Sequence, residues 1–137
     1  MRPLLLDTCA IIWIAAGAPI SDEATEALRD ANTRGVTIGV SPISVWEIGL
    51  LVARGRLVLS TSPRAWVSTV LAQPNVALAE MPPDTLIDSS FLPGAPPRDP
   101  ADRIILATAR AEGMRIVTRD RAMLSYARAG HAEAIAC

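Results

Sequence analysis

The sequence predicts an α/β fold in which helices and strands alternate around a mostly parallel sheet of four to five strands. Three observations lead there. Short apolar runs of strand length recur, each bounded by Gly, Pro or a polar residue. Segments of helical spacing separate them, so consecutive strands need crossover connections and pair in parallel. Helix starts are marked three times by a capping residue followed by proline, at Ser41-Pro42, Ser62-Pro63 and Asp99-Pro100. At 137 residues the chain is expected to form a single domain spanning 1–137, long enough for a real core.

The first run, residues 3–7, reads as a strand ending in Asp7, and a helix over 8–16 follows that is apolar nearly all round and therefore buried. Ser21 caps a more polar helix that ends near Gly35. Residues 36–40 form a second strand, and the Ser41-Pro42 start opens a helix to Gly55. Ser62-Pro63 opens another to about Ala72, and residues 75–79 form a short third strand. Residues 84–91 read as helical, and the prolines of 93–97 stiffen a loop. The Asp99-Pro100 helix runs to about Glu112, with Gly113 behind it. A strand at 115–118, a helix at 121–128 and a last strand at 132–136 complete the series.

Half of the residues are hydrophobic, 20% are charged and mean hydropathy is +0.31, which is apolar for a soluble chain of this size. A partner or a second copy covering part of the surface is expected. The net charge of −1 announces no nucleic-acid binder, but all thirteen basic residues are Arg, and seven lie between Arg98 and Arg128 against four acids. Arg grips phosphate in two-point contacts, so this third could present a basic rim. The opening apolar stretch is broken by Asp7, and neither half reaches the about 18 residues of a membrane span. A cytoplasmic protein with no membrane contact is expected, with Cys9 and Cys137 as reduced thiols and Cys9 a small buried hydrophobe. Trp13, Trp46 and Trp66 lie in helical patterns with apolar neighbours and read as core or dimer packing residues in preference to base-stacking ones.

The chemistry lies in the acids. Asp7 and Asp120 each end a strand just before a helix, the sheet edge at which ligands bind in open α/β folds. Asp102 sits in the first turn of the helix after Asp99-Pro100. Glu47 lies in the second turn of its helix, flanked by Ile43 and Leu51 on an apolar stripe. Asp7, Asp99 and Asp120 also fit helix caps, worth about 1 kcal/mol each. An inward Glu has no capping task, and buried charge without a partner is costly. Gathered carboxylates repel unless a hard, oxygen-preferring cation compensates them. One His and no spaced Cys pair exclude a zinc cluster. Arg103 and Arg119, next to Asp102 and Asp120, are candidates for flanking phosphates. No glycine-rich phosphate loop is present.

Leu5-Leu6-Asp7-Thr8, Ser44-Val45-Trp46-Glu47-Ile48, the stretch from Asp99-Pro100-Ala101-Asp102-Arg103 to Ala109, and Val117-Thr118-Arg119-Asp120 together resemble a PIN domain. They are similar to the VapC toxins of bacterial toxin–antitoxin pairs. The resemblance covers essentially the whole chain, with its blocks in order. It implies a PIN-like three-layer α/β/α fold, Mg2+ dependence with Mn2+ as a substitute, and endoribonuclease activity. It also implies homodimerisation and inhibition by a small VapB-type antitoxin. The family's metal ligands and catalytic acids carry over onto Asp7, Glu47, Asp102 and Asp120, with Asp99 a cap and a further metal candidate. Thr8 and Thr118 match supporting hydroxyl positions. Two other readings stay open: a binding module whose acids only cap helices, and a haloacid-dehalogenase-type phosphohydrolase using Asp7, although Cys9 stands where that chemistry wants a second Asp.

Overall fold

The computed structural model describes residues 1–137. Its elements are β1 (Leu4–Leu6), α1 (Thr8–Ala15), α2 (Asp22–Arg34), β2 (Ile38–Val40), α3 (Pro42–Ala53) and α4 (Pro63–Leu71). They continue with β3 (Val76–Leu78), α5 (Pro83–Asp88), α6 (Pro100–Glu112), β4 (Arg115–Thr118), α7 (Arg121–Arg128) and β5 (Glu133–Ala136). The five strands make one sheet in the order β3-β2-β1-β4-β5. Every neighbouring pair is parallel, so the expectation of a mostly parallel sheet is met in full.

Side chains on a strand alternate between faces, and the core divides accordingly. Leu4 and Leu6 face one way, with Ile38, Val40, Val117 and Ile135, and are covered by α1, by the alanines of α2, and by Ile48 of α3. Leu5 and Ile116 face the other way, against Ile105, Leu106 and Ala109 of α6 and Met123 and Tyr126 of α7. Helices therefore close both faces, giving three layers. Gly39 in β2 is there for space: a Cβ would stand 2.8 Å from Met114 Cε and 3.2 Å from the Leu4 carbonyl.

The helix starts follow their caps. Ser21, Ser41 and Ser62 each accept a backbone N–H of the first turn, and Asp99 accepts two, from Ala101 and Asp102. Gly35 and Gly113 end α2 and α6 in the left-handed conformation. Three details depart from expectation. α5 stops at Asp88 rather than running to Phe91, because Ser89 turns its hydroxyl onto the Leu86 carbonyl and the chain enters tight turns. In α1 only Thr8, Ala10 and Ile11 are buried, since one face of the helix lies outside the core. Cys9 is exposed rather than buried, because its position on α1 faces away from the sheet. No helix is long and apolar enough to cross a membrane.

Candidate active site

In the strand order, β1 is central: the chain leaves it for β2 on one side and later returns to β4 on the other. Between β1 and β4 the sheet has its topological switch point, the place at whose carboxyl edge ligands bind in open α/β folds. Leu6 is in register with Val117, so Asp7 and Asp120 leave adjacent strands at the same edge. Both also cap helices, as their sequence context allows. Asp7 Oδ1 accepts from Ala10 N at 2.7 Å, and Asp120 Oδ1 accepts from Met123 N at 2.9 Å. Thr118 ties the two together: its hydroxyl donates to Asp7 Oδ2 and accepts from the Asp120 amide at 3.0 Å. Asp7 is only 5% exposed.

Glu47 comes from α3, which packs against both α1 and α6. Thr8 donates to Glu47 Oε1 at 2.5 Å, and the fully buried Ser44 hydroxyl lies 2.9 Å from Thr8 Oγ1. A hydroxyl has one proton, so Ser44 donates to Thr8 and Thr8 to Glu47. Ser44 and Glu47 are three residues apart and share a helix face. The buried stripe of α3 is Ser44 and Ile48, so Glu47 sits at its margin, half-buried, rather than between two core positions. Asp102, from the first turn of α6, completes the group.

The electrostatics register their convergence. Burial pushes the Asp102 carboxyl up to about 7, helped by the charges of Asp99, Asp120, Glu47 and Asp7. Burial raises Asp7 as well, the Thr118 and Ala10 donors pull it down, and the Asp120 charge adds to the rise. Glu47 is raised by burial and by the charges of Asp99 and Asp7, against its bond from Thr8. Cys9 is exposed as a residue, but its thiol is partly shielded within the same field and is pushed up to about 11, first by that burial and then by Asp7, Glu47, Asp102 and Asp120. Its thiol is therefore no nucleophile near neutral pH.

No arginine relieves this repulsion. The ion pair of the structure, Arg2 with Glu133, lies at the other end of the strands. Arg103 Nε donates to the Pro97 carbonyl at 2.6 Å. Arg119 spans the Cys137 and Pro19 carbonyls, at 3.0 and 3.2 Å, while lying 3.9 Å over the Trp13 ring. Both candidates for phosphate contact thus hold loops and the carboxyl terminus together. Asp99 holds the amides of α6 and faces Glu47 and Asp102 with its charge.

The donor set is all oxygen, negative and without a cationic partner. It fits a hard divalent ion that takes one or two carboxylates directly and keeps several waters. It does not form a ready-made chelate: no three His, Cys, Asp or Glu side chains are arranged to hold an ion by direct ligation alone. Like charges keep apart, and each carboxylate except Asp102 rests on donors of its own. A groove of about 580 Å³ opens beside Glu47 and Asp99, walled by Trp46, Pro100, Arg54 and Arg56. Sequence periodicity did not single out Arg54 and Arg56, because they lie at and beyond the end of α3 and only the fold turns them toward this groove.

A family model for the PIN domain matches residues 4–129. Ribonuclease VapC22 of Mycobacterium tuberculosis is 33% identical over 127 residues, covering 92% of this chain and 93% of that protein. Among solved structures, VapBC2 from Rickettsia felis, bound to a promoter DNA fragment, superposes with a TM-score of 0.70 over 97% of each chain at 15% identity. DNA-bound VapBC from Salmonella typhimurium gives 0.67 at 18% identity over 99% of this chain and 98% of that one. Mycobacterium tuberculosis VapC20, a sarcin-ricin loop cleaving toxin, gives 0.56 at 16% identity over 95% and 97%. These structural likenesses are likenesses of fold.

Proposed function

This chain belongs to the PIN-domain family, and from that premise we propose that it is a divalent-metal-dependent endoribonuclease, the toxin of a toxin–antitoxin pair. The observation that carries the reading is a set of mutually repelling carboxylates at the switch point of a parallel sheet, Asp7 buried and Glu47 and Asp102 half-buried, with no cation of the chain to neutralise them. The identity with a VapC ribonuclease over nearly the whole of both chains supports RNA as the substrate. The VapBC fold relatives support a small VapB-type antitoxin as the partner that holds the toxin in check. A homodimer and a cytoplasmic site of action complete the reading.

Asp7, Glu47, Asp102 and Asp120 are the residues that hold the ion, Mg2+ with Mn2+ as substitute, and Asp99 supports them from the cap of α6. A bound Mg2+ supplies an activated water and screens phosphate charge during in-line attack. The chain's own contribution is orientation. Thr118 fixes Asp7 against Asp120, the Ser44–Thr8 relay aims Glu47, and burial lowers the local dielectric so that charges placed there act strongly. Rigid placement of this kind, made before substrate arrives, is what electrostatic stabilisation of a transition state requires.

One observation favours a second reading, a module without catalysis: Asp7, Asp99 and Asp120 do cap helices. Glu47 and Asp102 have no such task. Incubation of the purified chain with single-stranded RNA separates the two. Endonucleolytic cleavage is expected with Mg2+ or Mn2+, lost in EDTA and lost in Asp7→Asn, which keeps a capping side chain. RNA left intact under all conditions would favour the binding module.

A further inference from the structure

The three tryptophans of the chain have different fates. Trp13 is covered by the Arg119 guanidinium, and Trp66 packs against the core between α4 and the sheet. Trp46 has neither cover and is 59% exposed, although the sequence suggested packing. It precedes Glu47 on α3 and walls the groove that also holds Glu47 and Asp99. Trp46, Leu50 and Arg54 follow at four-residue intervals on one helix face. Arg54 and the neighbouring Arg56 line the far end of the groove, and neither makes an ion pair. Arg54 lies seven positions beyond Glu47, about 10 Å along the helix axis. The groove therefore has carboxylates and an open indole at one end of α3, and two guanidiniums without ion pairs about two turns along, at the other.

We propose that this face of α3 is a substrate subsite for single-stranded RNA, in which Trp46 stacks on a base and Arg54 and Arg56 hold the phosphates beyond it. The proposal rests on the ribonuclease reading and assigns residues to it. Its physical basis is charge order. A phosphodiester backbone is repelled by the Glu47 end unless an ion is held there, so affinity must come from cations placed beyond the acids. Arg54 and Arg56 meet that need, whereas Arg103 and Arg119 are engaged by backbone carbonyls. An exposed indole is a stacking platform that any base can use, and strands without pairing present their bases to it.

The test uses the full chain and a short fluorescein-labelled single-stranded RNA of mixed sequence, with its duplex as control. Binding is read by anisotropy in EDTA, and cleavage by KM and kcat in Mg2+. Trp46→Ala should weaken binding about five- to hundredfold, the range for losing one stacked base, and Trp46→Phe should restore most of it. Arg54→Gln with Arg56→Gln should flatten the dependence of log Kd on log salt by about 0.7 for each arginine. The losses should fall on KM, with kcat kept. Thermal melts establish that each variant folds, and the exposed positions make unfolding easy to separate from lost binding. A wild type that neither binds nor cuts RNA sinks the ribonuclease reading and this subsite with it. A wild type that does both, matched by all three variants in Kd, salt slope and KM, sinks the subsite alone. Unchanged RNA binding with a shift of oligomeric state in Trp46→Ala would reassign the face to a protein interface and overturn the proposal.

Discussion

Replacing Asp102 by Asn should stabilise the protein in the absence of divalent ions while removing its activity. The folded chain holds the Asp102 carboxyl at about 7, against an ordinary value of 3.8. A carboxyl raised in the folded state contributes stability that is fully present below about pH 4 and is lost as the pH rises through about 7. At about 1.4 kcal/mol for each tenfold change in proton affinity, the gap amounts to about 4 kcal/mol. Solvent reaches a half-buried position, and screening reduces the realised cost of ionisation to about 2 kcal/mol. Asn removes that charge but also gives up about 0.5 kcal/mol of favourable interaction with the start of α6. The net gain at pH 8 is then about 1.5 kcal/mol, a rise in Tm of about 5 °C for a chain of this length. At pH 3 the acid is neutral in both the folded and the unfolded chain, so the gain should vanish. Differential scanning calorimetry in EDTA at the two pH values reads both. A Tm that falls at pH 8, or moves equally at both pH values, would refute the charge argument. Mg2+ at pH 8 should raise the Tm of the wild type more than that of the variant.

Thr118→Val keeps the volume but removes the donor to Asp7 and the acceptor for the Asp120 amide. It should cost about 2–3 kcal/mol in urea unfolding and move the acidic limb of activity to higher pH, since the Thr118 donor lowers the Asp7 pKa; an unchanged urea midpoint would contradict the role given to this hydroxyl. Asp99→Ser retains a capping side chain, so stability should hold to within about 0.5 kcal/mol. The acidic limb should move to lower pH, because the Asp99 charge raises both Glu47 and Asp102. Complete loss of cleavage with an unchanged Tm would instead make Asp99 an ion ligand. Gly94→Ala places a Cβ 2.5 Å from His131 Nε2 at a φ of +70°, where His131 stacks on Tyr126; destabilisation of at least about 1 kcal/mol is expected in thermal melts, and a neutral result would show that the loop before α6 yields freely.

Most of the fold was legible because local signals agreed with one another. The three cap-plus-proline starts and the apolar runs placed strands and most helix ends to within a residue or two, since each signal acts over one turn of chain, while α5, which has neither signal, ended three residues early. What local signals cannot carry is direction within the fold. Cys9 looked like a buried hydrophobe by type, yet its position on α1 faces outward. Trp46 looked like packing because its neighbours are apolar, and its exposure follows only from how α3 lies on α1 and α6. Arg119 reads as a candidate phosphate ligand because it precedes Asp120; that the Cys137 and Pro19 carbonyls take two of its donors follows only from the fold. Among the acids, Asp7 and Asp120 were legible as strand ends. Thr118 was flagged as a supporting hydroxyl only through the resemblance to the PIN family, since the bond that joins it to Asp7 spans 111 residues. Nor does sequence reveal that no three of the acids close directly on one point; that depends on which hydrogen-bond donors hold each carboxylate.

Direct measurement of Mn2+ binding by electron paramagnetic resonance, on the purified chain at pH 8, reaches the central claim without relying on any substrate. The wild type should remove free Mn2+ signal saturably, Mg2+ should compete, and Asp7→Asn or Asp120→Asn should abolish the binding while keeping the fold. Mn2+ that stays free beside the wild type, or binding untouched by either substitution, would mean that these carboxylates gather for some purpose other than holding a cation.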